Sequence, residues 1–330
     1  MDETGAAMGD SAIRRGGEIP GADGAAAFWL RAPEPSPIPV LLAVPHAGRD
    51  YTGTLLERMR HPGSTSLRLE DRYVDFLADA VARETGAAVL VATAPRAMID
   101  LNRSVEDIDW EMIGGGARRE GRGGDREASR GEADSYSPGH RARSGLGLIP
   151  RRLPGLGELW KRHHEPADLA ARIAGIHQPY HECLDAALAA LHERWGTALL
   201  IDLHSMPPLS LRGGQRGPEF VLGDRFGTAC QGGLVGSAFS YFAEHRRGTA
   251  HNRPYAGGYV LERHAAPRRG LHAFQLEIDR ASYLDSRLIE PGERFAEMIA
   301  LLVGLVRRLA GEVAALGRLE RTIGWGMAAE

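Results

Sequence analysis

Two histidines and one glutamate carry the most chemical information in this chain. His46 closes the apolar run Pro39-Val-Leu-Leu-Ala-Val-Pro-His46, and His204 closes Thr197-Ala-Leu-Leu-Ile-Asp-Leu-His-Ser205. Glu277 interrupts a third run, His272-Ala-Phe-Gln-Leu-Glu-Ile278, between Leu276 and Ile278. Catalytic zinc typically takes three protein ligands and keeps one position for water, so two imidazoles and an acid could hold it. Asp202 lies two residues before His204, on the same side of a strand, where it could orient a metal-bound imidazole through its second nitrogen. The adjacent acids Glu70 and Asp71 offer a third ligand, although acids at a helix start also favour the macrodipole. Beside a metal, Glu277 is suited to act as general base on water. Arg96 and Arg103, near the end of a further run, point to an acidic substrate, because guanidinium pairs bidentately with carboxylate.

These residues need rigid elements to bring them together. Short continuous apolar runs suit strands buried on both faces of a parallel sheet, and open α/β sheets place ligands beyond the strands' carboxyl ends. Between the runs lie segments of helical period, which favours an α/β fold. One helix is expected over residues 69–84, with Tyr73, Val74, Leu77, Ala80 and Val81 on one face. Another is expected over 168–195, kinked or split at Pro179. Residues 87–92, 97–101 and 258–262 read as further strands, and 292–316 as a packed terminal helix. Residues 1–25 read as a flexible tail ahead of a single catalytic domain over 26–330. A mobile loop is expected over 114–145, lying across the active site.

Composition narrows the function classes. The 330 residues are 43% hydrophobic and 25% charged, with a formal charge of −3. That balance argues against nucleic acid as partner. The arginine-rich stretch 118–143 does not reverse this, since its seven arginines meet five acids. Cys183 and Cys230 show no CxxC pairing and read as reduced thiols, consistent with a cytoplasmic location. No apolar run approaches the roughly 20 residues of a membrane span, and no signal peptide is evident.

Taken together, the motifs resemble the N-formylglutamate amidohydrolase family over roughly residues 39–290. The matching stretches are Val-Pro-His46-Ala-Gly, Glu-Asp71-Arg-Tyr-Val-Asp75, Pro-Arg96 and Asp-Leu-Asn102-Arg103. Gly145-Leu-Gly-Leu-Ile-Pro150, His177-Gln-Pro-Tyr-His181 and Asp202-Leu-His-Ser-Met-Pro207 continue the series, followed by Asn252-Arg-Pro-Tyr-Ala-Gly-Gly258 and Gln275-Leu-Glu-Ile-Asp-Arg280. The resemblance implies a three-layer α/β/α fold with a mixed, mostly parallel sheet, similar to zinc carboxypeptidases and other phosphorylase/hydrolase-like proteins. It implies one Zn(2+) per chain on His46, His204 and Asp71, with Glu70 as reserve ligand, and Glu277 as the general base. Arg96, Asn102, Arg103 and Arg280 are then the substrate-binding residues. The position three after His46, where carboxypeptidase-like sites supply their acid, holds Arg49. The implied reaction is hydrolysis of N-formyl-L-glutamate to formate and glutamate, a late step of histidine breakdown. Deacylation of another N-acyl acidic amino acid, a small-peptide carboxypeptidase and a catalytically silent binding protein are the alternatives. A serine hydrolase using Ser205 is disfavoured, because no Gly-x-Ser-x-Gly elbow surrounds that serine.

Overall fold

The apolar runs read from the sequence form the centre of one eight-stranded sheet in the computed structural model, which describes residues 12–114, 145–210 and 217–327. In chain order its first four strands are β1 (Ile13–Gly16), β2 (Phe28–Arg31), β3 (Val40–Val44) and β4 (Ala88–Ala92). A separate small hairpin pairs β5 (Arg152–Leu153) with β6 (Gly157–Glu158). The sheet continues with β7 (Ala198–Met206), β8 (Phe220–Gly223), β9 (Thr249–His251) and β10 (Leu271–Asp279). The spatial order is β1-β2-β4-β3-β7-β10-β8-β9. Strands β4, β3, β7 and β10 are parallel to one another; β2 pairs antiparallel with β1 and β4, β8 antiparallel with β10, and β9 parallel with β8.

Helices cover both faces. Those described are α1 (Gly53–Arg58), α2 (Pro62–Leu69), α3 (Val74–Thr85), α4 (Pro166–Arg172), α5 (Gln178–Trp195), α6 (Gly232–Glu244), α7 (Tyr259–His264) and α8 (Phe295–Met327). Alternation along the strands divides the core. Leu199, Ile201, Leu203, Phe274, Leu276 and Ile278 pack with side chains of α3, α6 and α8 on one face. Leu41, Leu90, Leu200 and Ala273 pack with Leu184, Leu188 and Leu191 of α5 on the other. Each fully buried leucine of this kind contributes roughly 1.5–3 kcal/mol of transfer free energy. The result is the three-layer α/β/α arrangement with a mixed, mostly parallel sheet.

Several local expectations change. The tail expected to residue 25 contains β1, whose four residues pair with β2 at the edge of the sheet; residues 1–11 lie outside the described residues. The loop expected over 114–145 falls, between its end residues, outside them as well. Residues 69–84 are not one helix: α2 ends at Leu69 and α3 starts at Val74, because the Asp71 amide donates to the His46 carbonyl (2.9 Å) and Tyr73 takes φ 59°. Residues 97–101 form turns rather than a strand, and 259–264 form α7. Pro179 does mark a division. It lies in the first turn of α5, which a π-helical turn (Ile173–His177) joins to α4, and the Gly175 carbonyl four residues before it accepts from the Glu18 amide instead (2.8 Å).

Candidate active site

Strand register builds the site. His204 on β7 pairs side by side with Glu277 on β10, and Asp202 pairs with Gln275. All four are buried and point to the face that carries Leu200 and Ala273, at its carboxyl end. On the opposite side of β7, Ala43 of β3 pairs with Asp202, so the chain leaving β3 delivers His46 beside His204. Their ring centroids lie 4.7 Å apart. The break between α2 and α3 supplies Asp71.

His46, Asp71 and His204 each offer a ligand atom within 4.8 Å of the others, and all three are buried. Asp71 Oδ2 lies 3.0 Å from His204 Nδ1 and 3.5 Å from His46 Nδ1. Each imidazole is fixed through its other nitrogen. His204 Nε2 meets Asp202 Oδ2 at 2.9 Å, as the sequence suggested, and His46 Nε2 meets Asp100 Oδ1 at 2.7 Å. Asp100, inside the Asp-Leu-Asn-Arg motif, was assigned no role from its residue type alone. His46 Nδ1 is buried without a hydrogen-bond partner, and an orphaned imidazole nitrogen opposite a carboxylate suits a metal ligand. Two imidazoles and one carboxylate, with carboxylates behind both rings, fit a zinc-type centre. Glu70 is not among the clustered residues. Its carboxylate accepts instead from Arg72 (3.0 Å). Arg49, at the position of the missing acid, is bound to Asp75.

Electrostatics match this reading. Burial raises the Glu277 carboxyl, with Asp71 and Asp202 adding to the effect, to a pKa of about 7. Burial works against charge on Asp100 too, yet Arg96, His46 and Arg103 hold its carboxyl well below the usual range. Burial likewise opposes charging of His204, but Asp202, Asp71 and Glu277 raise its pKa well above the ordinary value. Asp71 and Glu277 line the cleft together with Arg68, Arg96, Arg103 and Arg280, while Asp100 and Asp202 lie behind the two imidazoles.

The cleft in front of the cluster measures about 340 Å3 and is lined by His46, Asp71, His204, Glu277 and all four expected substrate residues, Arg96, Asn102, Arg103 and Arg280. Their commitments differ. Arg96 bonds Asp100 through Nε (2.9 Å), the nitrogen furthest from its planar end. Arg103 is fixed by the carbonyls of Leu146 (2.8 Å) and Asn102 (2.7 Å). Arg280 is committed to the Ser205 hydroxyl (3.0 Å) and to the backbone of Leu67 and Glu70, bracing Asp71. Asn102 is engaged at both ends: Nδ2 donates to Gln275 Oε1 (3.2 Å) and Oδ1 accepts from the Val260 amide (3.0 Å). Ser205 donates to Asp71 Oδ1 (3.1 Å) rather than to an imidazole, so it lacks the base a serine nucleophile needs. Arg68 and Tyr255 also line the cleft and were missed in the sequence. Arg68 is exposed and has no ion-pair or hydrogen-bond partner among the described residues; a lone arginine on a helix gives no such signal in advance.

A family model described as N-formylglutamate amidohydrolase matches residues 38–284. The chain belongs to the N-formylglutamate amidohydrolase family. The crystal structure of an N-formylglutamate amidohydrolase from Ralstonia eutropha JMP134 superposes with a TM-score of 0.74 at 30% identity, covering 88% of this chain and 99% of that one. An N-formylglutamate deformylase of Pseudomonas aeruginosa is 27% identical over 292 residues, which is 85% of this chain and 94% of the relative. One from Pseudomonas putida is 29% identical over 259 residues, covering 75% and 82%. As a member of the N-formylglutamate amidohydrolase family the chain is an amide hydrolase. The metal-type cluster, Glu277 and the cleft arginines all lie inside the matched segment.

Proposed function

We propose that this amidohydrolase cleaves the formyl amide of N-formyl-L-glutamate in a zinc-dependent reaction. The observation that carries the reading is the buried His46–Asp71–His204 cluster beside Glu277 in an arginine-lined cleft. Relatives named for N-formylglutamate over most of their length support the substrate.

Zinc held by His46, Asp71 and His204 would polarise the formyl carbonyl and acidify the attacking water. Glu277 takes the water's proton as the oxygen attacks the formyl carbon. It then passes that proton to the glutamate nitrogen as the C–N bond breaks, releasing formate and a free amine. Burial of Glu277 beside Asp71 and Asp202 favours its protonated form, which suits a group that must hold the water's proton between the two steps. Asp100 and Asp202 hold the imidazoles in one tautomer. Arg96 and Arg103 grip a substrate carboxylate, and Arg68 at the mouth is placed to take a second.

Replacing Glu277 with glutamine tests the assignment. Turnover is expected to fall about 10²- to 10⁴-fold while stoichiometric metal binding persists. Unchanged turnover would remove Glu277 from the mechanism.

A further inference from the structure

The motif His177-Gln-Pro-Tyr-His181 has no part in the proton transfers above, yet both its histidines are buried directly behind the cleft. His177 Nε2 lies 2.9 Å from the Arg103 carbonyl, and His181 Nε2 lies 3.0 Å from the Leu101 carbonyl. The π-helical turn before α5 and the helix's first turn together present both rings to the segment 101–103. From His181 the chain of contacts continues outward. His181 Nδ1 meets His264 Nε2 on α7 at 2.9 Å, and His264 Nδ1 meets Asp185 Oδ1 on α5 at 2.6 Å.

Donor and acceptor chemistry fixes the protons in this line. A carbonyl only accepts, so His181 must carry hydrogen on Nε2. Burial pushes the His181 pKa down to about 2, so the ring is neutral and its Nδ1 is an acceptor. His264 must therefore donate from Nε2. His264 Nδ1 in turn faces the half-exposed Asp185, which also pairs with Arg263 (3.3 Å).

We propose that Asp185, His264 and His181 form a positioning relay that fixes the turn carrying Asn102 and Arg103, and so sets the grip on the substrate carboxylate. None of the three lines the cleft; they act through the Leu101 carbonyl. Asp100 has anchors outside that turn in the Leu148 carbonyl (2.8 Å) and Arg96 Nε (2.9 Å), so loss of the relay disturbs Arg103 more than His46. The kinetic consequence rests on the amidohydrolase reading of the cleft; the proton assignment does not.

Two measurements on the zinc-loaded, full-length enzyme separate these. Nitrogen-15 spectra of the imidazoles should show His181 protonated on Nε2 alone and His264 carrying a proton on Nε2. A His181 carrying its proton on Nδ1, or a His264 with no proton on Nε2, would overturn the relay whatever the substrate. Kinetics with N-formyl-L-glutamate then compare His264→Gln, whose amide can still donate to His181, with His264→Leu, which cannot. The leucine variant should raise KM about five- to tenfold with kcat changed less than about threefold, and the glutamine variant should stay within about twofold of the parent. Equal KM values in the two variants would refute the positioning role. If the parent enzyme itself shows no turnover of this substrate, the substrate assignment fails and the spectra alone decide the relay.

Discussion

Glu277 is where the chemistry of single residues can be tested without substrate. Its carboxyl is raised by burial first and by Asp71 and Asp202 next, to about 7 against an ordinary 4.5. A carboxyl raised in the folded state contributes stability that is fully present below about 4.5 and lost as pH climbs through about 7. Metal-free protein should therefore lose stability between those values, by on the order of 1–3 kcal/mol, and Glu277→Gln should abolish that loss. Denaturant melts of both proteins at pH 5 and pH 8 measure this; parallel pH dependence would place the titration elsewhere. Asp100 allows a second test. Asp100→Ala frees the His46 ring, and zinc affinity should fall about 10- to 100-fold in a competition titration. Unaltered affinity would mean that His46 needs no partner behind it. His204, Asp202 and Glu277 were legible in the sequence because each is a polar residue set into an otherwise apolar strand, and His46 because it directly follows one. Asp100 and Arg68 were not, since a turn and an exposed helix position carry no such contrast. Nor does sequence reveal that Asn102 and Arg280 direct their hydrogen bonds to neighbouring protein groups.

At the level of elements, the in-register pairing of β7 and β10 sets His204 beside Glu277, and the break before α3 sets Asp71 against His46. Strands were readable because apolar runs of their length have few other uses. The break was hidden, because the helical period of 74–81 continues smoothly back to Leu69 while tertiary bonds to His46 override it. Residues 258–262 misled for a related reason: Tyr and Val favour strands, yet α7 forms where its amino end meets Asn102. That meeting is tight. A Cβ at Gly258 would sit 2.6 Å from Asn102 Cγ. Gly258→Ala should destabilise the protein by about 1–3 kcal/mol and also raise KM, because Asn102 cannot retreat without moving Arg103. A urea melt and a KM determination check the pair; an unchanged KM would detach this contact from the site.

For the molecule as a whole, two helical layers bury both faces of the sheet, and the polar cluster of the site breaks that apolar interior at the carboxyl ends of β3, β7 and β10. The layer order was legible from the alternation of apolar runs and helical periods. The edge strand β1 was not: its Ile-Arg-Arg-Gly sequence is polar and largely exposed, and only pairing with β2 makes it a strand. Four buried carboxylates gather round two imidazoles at the site, with Arg96 paired to Asp100 and Arg280 to Asp71. The decisive measurement is release of formate and glutamate from N-formyl-L-glutamate by metal-stripped protein, with and without one equivalent of zinc. Release that depends on zinc is the expected result. Equal release without metal, or none from protein that has bound zinc stoichiometrically, would contradict the zinc-dependent deformylase reading.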